Sequence, residues 1–158
     1  MYETGAGGSA PKHVQQLIAE GHLRWDSLGE YLAMAVSLED LGKKTNNARA
    51  TLLGQTLAEA TGQLLNNRNS PSRKVNEIDN RGSSFYIAMY WAQAMAKHDP
   101  AFKDLATKLV ANKDSVLKEM IDCQGKKTDI GGYFQLDDAK ANEVMRPSKT
   151  FNSLIDTK

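Results

Sequence analysis

A glycine-rich run directly precedes a predicted helix near the start of the sequence. The run reads Gly5-Ala6-Gly7-Gly8-Ser9-Ala10-Pro11. Glycines let backbone N–H groups approach an anion closely, and a helix N-terminus adds unpaired N–H groups with a partial positive charge. The pattern therefore indicates a phosphate-bearing ligand. It matches neither the P-loop, because no Gly-Lys-Ser/Thr follows, nor the dinucleotide fingerprint, because no strand precedes it. A flexible, glycine-rich terminus is the competing interpretation, and composition alone favours it.

Side chains that suit a phosphate or an adenine follow this run. His13 lies in the first turns of the predicted helix, Arg24-Trp25-Asp26 comes after that helix, and Arg73 lies in the basic loop 70–74. An arginine beside an aromatic ring can sandwich an adenine. Each residue also fits a plain structural role, as a solvated cation, a loop-packing ring or a helix cap. The residue types alone favour that plainer role for each of them.

The sequence shows no catalytic pair and no metal-ligand cluster. Asp137-Asp138 lacks further carboxylates at metal spacing, and His22 and His98 have no partners in sequence. The single cysteine, Cys123, is interpreted as structural, and it favours a reducing, cytoplasmic setting. A net charge of +1 argues against nucleic acid and anionic membranes as partners. The longest nearly apolar run, 31–38, is too short to cross a bilayer.

Capping residues and apolar spacing predict a mainly α chain that positions these residues. The predicted helices run from a cap at Ser9 to Glu20, from a Ser27/Glu30 capping box to Gly42, from Asn46 or Asn47 to Leu64, over 82–97, and from Asp99-Pro100 to Gly125. The tail is predicted to be mostly loop, with one or two short strands and a short helix. We expect a single helical domain or segment with a glycine-rich cofactor loop and helix (1–26), a helical core (27–124) and a loop-rich tail (125–158).

Several strings, in order and together, resemble the monomeric type of NADP-dependent isocitrate dehydrogenase. They are Glu3 to Gln16, Leu23 to Glu30, Ser70 to Lys74, Asp79 to Ser83, Tyr90 to Gln93 and Arg146 to Asn152. The resemblance covers essentially the whole chain. That enzyme is several times longer, and this sequence resembles its C-terminal segment, which helps to build the smaller of two domains.

The resemblance implies a function and a set of site residues. The family oxidises isocitrate and decarboxylates it to 2-oxoglutarate with NADP and Mg or Mn, and the cofactor lies between two domains. By resemblance, Gly8 and Ser9 lie along the cofactor phosphates, Trp25 and Asp26 flank the adenosine, and three residues hold its 2′-phosphate: His13, Arg24 and Arg73. The substrate, metal and catalytic residues of the family lie outside this sequence, so we expect no metal site and no activity from this chain by itself.

Two further expectations come from the same reasoning. A stand-alone, non-catalytic helical module that binds NADP or a protein partner is the alternative function, whereas an RNA-binding protein is disfavoured by the charge balance. If the chain is normally completed by other parts of a longer protein, apolar surface is exposed, which predicts self-association.

Overall fold

The computed structural model describes residues 6–156, with side chains from residue 12 onward. Its elements are α1 (Ala6–Glu20), α2 (Leu28–Thr45), α3 (Ala48–Asn66), α4 (Asn80–Ala96), a 3-10 turn (Pro100–Phe102), α5 (Lys103–Ala111), α6 (Lys113–Asp122), α7 (Asp138–Met145) and α8 (Lys149–Ile155). The prediction of a mainly α chain is confirmed.

The predicted short strands are wrong, since every regular element between residues 6 and 156 is helical. The tail instead folds back on itself. The Asp137 amide donates to the Ile130 carbonyl at 2.9 Å, and the Gly131 amide donates to the Asp129 carboxylate at 2.8 Å. These local turns satisfy the backbone groups that a strand would have offered to a neighbour.

Asn47 and Asp99 cap helices as predicted, whereas Ser27 makes no side-chain capping hydrogen bond at the start of α2. The Asn47 side chain accepts the Ala50 amide at 3.1 Å, and the Asp99 side chain accepts the Ala101 amide at 3.0 Å. Two helix ends differ from the prediction. Helix α2 continues past Gly42 to a left-handed residue, Asn46, whose φ of 53° provides the stop. The helix predicted up to Gly125 breaks at Asn112, whose side chain donates to the Lys108 carbonyl at 2.8 Å.

Helix α1 also begins earlier than predicted. It starts at Ala6 rather than after a cap at Ser9, so the glycines at positions 7 and 8 lie within its first turn. A helix nucleated by the apolar stripe further along can extend backwards at little cost per residue, because each added residue gains a hydrogen bond. Gly5 lies outside the described residues.

The chain divides into two compact units. Unit 1 comprises the described parts of 1–25, 71–82 and 114–158, and unit 2 comprises 26–70 and 83–113. The division into 1–26, 27–124 and 125–158 that the sequence suggested stays a prediction. No helix within 6–156 combines the length and apolar character that a membrane crossing requires.

Unit 2 is built on α2, α3 and most of α4. Ala35, Leu57, Leu64 and Ile87 form a buried cluster, against which partly buried residues such as Trp91 pack. Phe85 and Met95 of α4 are almost completely buried, as expected for a helix that is apolar nearly all round.

Unit 1 is held by a smaller apolar core and by buried polar contacts. Its buried apolar residues include Leu17, Val116, Met120 and Ile130. Glu119 of α6 accepts hydrogen bonds from the Ser148 hydroxyl at 2.6 Å and from the Thr150 hydroxyl at 2.7 Å, which fixes the start of α8. The part of the chain that carries the candidate site residues of unit 1 is therefore held in place by buried polar contacts as well as by apolar packing.

Candidate functional site

Three of the predicted site residues lie together in unit 1. The ring of His13, on α1, contacts Trp25 edge to face with ring centroids 5.3 Å apart. Arg24 is close enough for its charge to act on His13. Burial, the larger cause, and the charge of Arg24, the smaller one, lower the pKa of His13 below its usual range. The imidazole is therefore neutral at neutral pH until an anion approaches to stabilise its charged form.

Polar atoms on this face of α1 lack partners in the described part of the chain. They are Nδ1 of His13 and Oε1 of Gln16, both shielded from solvent. Gln16 lies one helical turn after His13, so the two side chains share a helix face. Buried polar atoms are almost always hydrogen-bonded in native proteins. A ligand that only accepts hydrogen bonds could pair with Nδ1 of His13 but not with Oε1 of Gln16, which itself only accepts.

The backbone that carries Arg24 and Trp25 is fixed by the turn before α4. The Asp79 carboxylate accepts the Leu23 amide at 3.1 Å, and the Asn80 side chain donates to the Trp25 carbonyl at 2.8 Å. The Asn80 amide also donates to the Leu23 carbonyl at 2.7 Å. Three bonds thus hold residues 23–25 against 79–80.

Arg81 reinforces this attachment from within the core. Its side chain is 3% exposed, and its guanidinium pairs with Asp79 at 2.6 Å and donates to the Gly21 carbonyl at 2.6 Å. Gly21 has a φ of +61°, and a Cβ there would meet two carbonyl oxygens at 3.1 Å, so the chain reverses after α1 at a position that requires glycine. The path of the chain from α1 to Arg24 is therefore set by buried polar contacts.

Arg73 is exposed on a loop that is tied to the same segment. The preceding residue, Ser72, accepts a hydrogen bond at its carbonyl from the His22 ring at 2.9 Å, and its amide donates to the Ile78 carbonyl at 2.7 Å. His22 is two residues before Arg24. The backbone positions of Arg24 and Arg73 are thus linked through one buried histidine.

The remaining predicted residues are placed differently. Gly8 and Ser9 lie within α1, at its N-terminal end, and their side-chain environment lies outside the described side chains. Asp26 belongs to unit 2, where its carboxylate accepts the Leu28 amide at 3.1 Å at the start of α2. The structure therefore brings together His13, Arg24 and Trp25, and links Arg73 to them through the backbone.

Unit 1 also contains an open cavity of about 680 Å³. Its lining includes three cations that already have carboxylate partners: Arg81 with Asp79, Lys140 with Asp129, and Arg146 with Asp156. Cys123 lines it as well, and burial raises the pKa of this thiol. A protonated thiol is a poor nucleophile, so Cys123 has the character of a structural residue.

No group of three or more His, Cys, Asp or Glu side chains in the described part of the chain is arranged to hold a metal ion.

Comparison with known proteins identifies the family. The model of the monomeric isocitrate dehydrogenase family matches residues 1–156, almost the whole sequence. The chain therefore belongs to the monomeric isocitrate dehydrogenase family.

Relatives within this family are similar over the full chain. NADP-isocitrate dehydrogenase 2 of Mycobacterium tuberculosis is 56% identical over 162 residues, which cover 99% of this chain and 22% of that protein. NADP-isocitrate dehydrogenase 2 of Colwellia maris is 51% identical, and the NADP-isocitrate dehydrogenase of Azotobacter vinelandii is 50% identical; each match covers 98% of this chain and 22% of the relative. The chain spans about a fifth of the length of these relatives.

Sequence reasoning found only part of the set of residues that position the site. His22 was assigned no role, whereas 79–82 was interpreted as a capped turn in which Arg81 ties a loop down. Their partners lie up to 102 positions away, as for His22 and Gln124, so no local pattern signals them. The only sequence signal is a charged or polar residue inside a segment that would otherwise be buried.

Proposed function

We propose that this chain is the C-terminal, cofactor-binding portion of a monomeric-type NADP-dependent isocitrate dehydrogenase, and that unit 1 carries the site for the 2′-phosphate of NADP. The observation that carries the proposal is which arginines of unit 1 form ion pairs with carboxylates and which do not. Unit 1 contains four arginines, and two of them, Arg81 and Arg146, form ion pairs with carboxylates. Among the described residues, neither Arg24 nor Arg73 has such a partner.

A phosphate dianion fits the side chains present. Arg24 and Arg73 would supply charge-assisted N–H donors, and Nδ1 of His13 would gain the partner it lacks. A ligand without the 2′-phosphate offers these groups nothing to bind, which gives preference for NADP over NAD. Trp25, already packed on His13, would lie against the adenosine, with Gly8 and Ser9 along the other phosphates.

The chemistry of the reaction would come from elsewhere. NADP accepts a hydride when it is bound, but the described residues present no metal cluster for Mg or Mn. We infer that isocitrate and the metal bind only in the complete enzyme. This chain would bind and orient the cofactor, and by itself it would be inactive.

Calorimetric titration of the purified chain with NADP and with NAD tests the site. We expect NADP to bind and NAD to bind much more weakly. Arg24→Ala and Arg73→Ala should each weaken NADP binding by about tenfold to a hundredfold, because a hydrogen bond to a charged group contributes about 1.5 to 3 kcal/mol. Neither substitution should alter the binding of NAD.

Arg49→Ala is the matched control. Arg49 is an exposed arginine of unit 2 whose partner is Asp99, so it should leave NADP binding unchanged. Equal affinities for NADP and NAD, or equal losses in all three variants, would contradict a dedicated 2′-phosphate site. Measurable oxidation of isocitrate by the purified chain would contradict the proposed inactivity.

We also propose that the chain self-associates through apolar surface. Helix α2 exposes Leu32, Met34, Val36 and Leu41, each between 44% and 67% accessible. Light scattering should show a mass that rises with concentration, and Val36→Lys should reduce this rise. A constant monomer mass at high concentration would refute the proposal.

A further inference from the structure

Gln124, just after the end of α6, is buried in unit 1, and its side chain bonds the backbone of a loop about 50 residues earlier in the sequence. Its amide nitrogen donates to the Glu77 carbonyl at 3.0 Å, and its amide oxygen accepts the Asn76 amide at 2.9 Å. The same nitrogen donates to the Met120 carbonyl of α6 at 3.2 Å. One side chain therefore joins two consecutive loop residues to the end of α6.

The orientation of the Gln124 amide is fixed by these partners. The carbonyls of Glu77 and Met120 can only accept a hydrogen bond, and the backbone amide of Asn76 can only donate one. Exchanging the oxygen and the nitrogen of Gln124 would set acceptor against acceptor and donor against donor at all three contacts. The contact therefore needs a side chain with a donor and an acceptor at this distance from the backbone.

The loop 72–78 has a conformation that its surroundings must hold. Its two ends are joined, because the Ser72 amide donates to the Ile78 carbonyl at 2.7 Å. Between them, Asn76 has a φ of 67°, in the left-handed region. Asparagine tolerates this region better than most residues, but it still favours other conformations when nothing holds it there. The bonds of Gln124 to the Asn76 amide and to the next carbonyl supply that support.

The residue after Gln124 allows the same close approach. Gly125 has a φ of +78°, and a Cβ at this position would lie 3.3 Å from Oδ1 of Asn76. The Gly125 amide donates to the Glu20 carbonyl, at the end of α1, at 2.8 Å. Residues 124 and 125 are therefore attached to both α6 and α1, and they give the loop a fixed support at residue 76.

Arg73 lies in this loop, after the bond at Ser72 and before the bonds at residues 76 and 77. We propose that Gln124 is a positioning residue for the 2′-phosphate site: it fixes the loop 72–78 and so holds the backbone of Arg73 where its guanidinium can reach the phosphate. This inference rests on the proposed function. A loop that is already ordered loses less conformational entropy when the ligand binds, so the ligand binds more tightly.

Hydrogen exchange of the wild-type chain, followed by NMR, tests the attachment without a variant and without a ligand. The Asn76 amide should exchange much more slowly than the amide of Arg73, which no described residue accepts. The side-chain amide of Gln124 should likewise exchange more slowly than that of exposed Gln135. Exchange of the Asn76 amide at the same rate as that of Arg73 would overturn the proposal.

Calorimetry with NADP tests the positioning role. Gln124→Met keeps the length of the side chain but removes its three hydrogen bonds, so NADP should bind roughly tenfold more weakly. Gln135→Met, at an exposed position of the same unit, is the matched control and should leave NADP binding unchanged.

A double-mutant cycle separates positioning from general destabilisation. When Arg73 is already alanine, Gln124→Met should change the affinity for NADP by less than about twofold, because the side chain that Gln124 positions is gone. An equal loss of affinity with and without Arg73 would overturn the role, since general destabilisation acts whether or not this arginine is present.

Gln124→Asn keeps the test decisive if the methionine variant does not fold. Its amide retains a donor and an acceptor but is one methylene shorter, so it cannot bond residues 76, 77 and 120 together. It should weaken NADP binding by a smaller factor, and again only when Arg73 is present. If the wild-type chain binds no NADP, the proposed function itself fails. Normal binding by the wild type with unchanged affinity in Gln124→Asn overturns the positioning role alone.

Discussion

Replacing Arg81 by methionine should be among the most damaging single changes in unit 1. Arg81 donates to Asp79 through Nε at 2.9 Å and through a terminal nitrogen at 2.6 Å. Its other bonds run to the carbonyls of Gly21 at 2.6 Å and Val144 at 2.8 Å. Methionine has a similar length and fills the space, so the substitution removes the charge and the donors while creating little cavity.

The magnitude follows from what Asp79 retains. Breaking a buried ion pair by removing one partner typically costs about 3 to 5 kcal/mol, because the other charge is left buried without compensation. Asp79 keeps three backbone donors: the amides of Leu23 at 3.1 Å, residue 81 at 3.0 Å and Gly82 at 3.4 Å. These offset part of the loss, so we expect a cost of about 3 kcal/mol, at the lower end of that range.

Urea unfolding, followed by both circular dichroism and tryptophan fluorescence, measures this cost. Arg49→Met provides the control, because the pair of Arg49 and Asp99 is 3.3 Å long and Arg49 is 65% exposed. Such surface pairs contribute about 0 to 1 kcal/mol. Equal losses for Arg81→Met and Arg49→Met would refute the assignment of Arg81 as a buried structural cation. Coincident transitions for the two probes are needed before the free energies are compared.

Other perturbations test the packing and the titrating groups. Gly54→Ala should destabilise the chain by about 1 to 3 kcal/mol, because the new Cβ would lie 2.6 Å from the Ala35 carbonyl oxygen. Gly62→Ala, in open space on the same helix, should stabilise the chain by up to about 1 kcal/mol. Equal effects of the two substitutions in urea unfolding would contradict the close approach at Gly54. Burial raises the pKa of Glu119, but hydrogen bonds from Ser148 and Thr150 outweigh burial and lower the pKa overall. The stabilisation by Glu119 should therefore be present above about pH 4.3 and be lost as the pH falls through the lowered pKa. Unfolding of Glu119→Gln across the acid range checks this, because the variant should show no such loss. A bound phosphate would raise the lowered pKa of His13, so NADP binding should be accompanied by proton uptake at His13. The affinity for NADP should therefore fall as the pH rises from about 6 to 8. Calorimetry in buffers of different ionisation enthalpy should detect this proton uptake in the wild-type chain and not in His13→Gln.

Local sequence signals predicted the helices well and their ends less well. Asn47 and Asp99 cap helices as expected, because a cap depends on residues within one turn. The end of α2 was predicted at Gly42, yet the helix continues to Asn46, since packing against α3 outweighs the weak helix propensity of one glycine. The break at Asn112 was missed because its apolar neighbours keep a continuous helical spacing on both sides.

The candidate site was only partly accessible to sequence reasoning. The residue types alone favoured a surface role for His13, Arg24 and Arg73, and the family resemblance selected them as ligands. The structure adds the proximity of His13 to Trp25 and Arg24, which depends on the reversal at Gly21. That reversal is stabilised by partners about 60 and 100 residues away in sequence, which no local pattern could identify. Arg81 donates to the Gly21 carbonyl, and the Gly125 amide donates to the Glu20 carbonyl.

The buried polar framework explains how cations can be kept available for a phosphate. An arginine near a carboxylate pairs with it, and a ligand must then compete with that partner. In unit 1 the carboxylate of Asp79 is occupied by Arg81 and by backbone amides, and that of Asp156 by Arg146. Arg24 and Arg73 are left without a carboxylate among the described residues, on backbone that other bonds hold in place. Backbone contacts thus hold the chain at both arginines without neutralising their charges, which the proposed 2′-phosphate site requires.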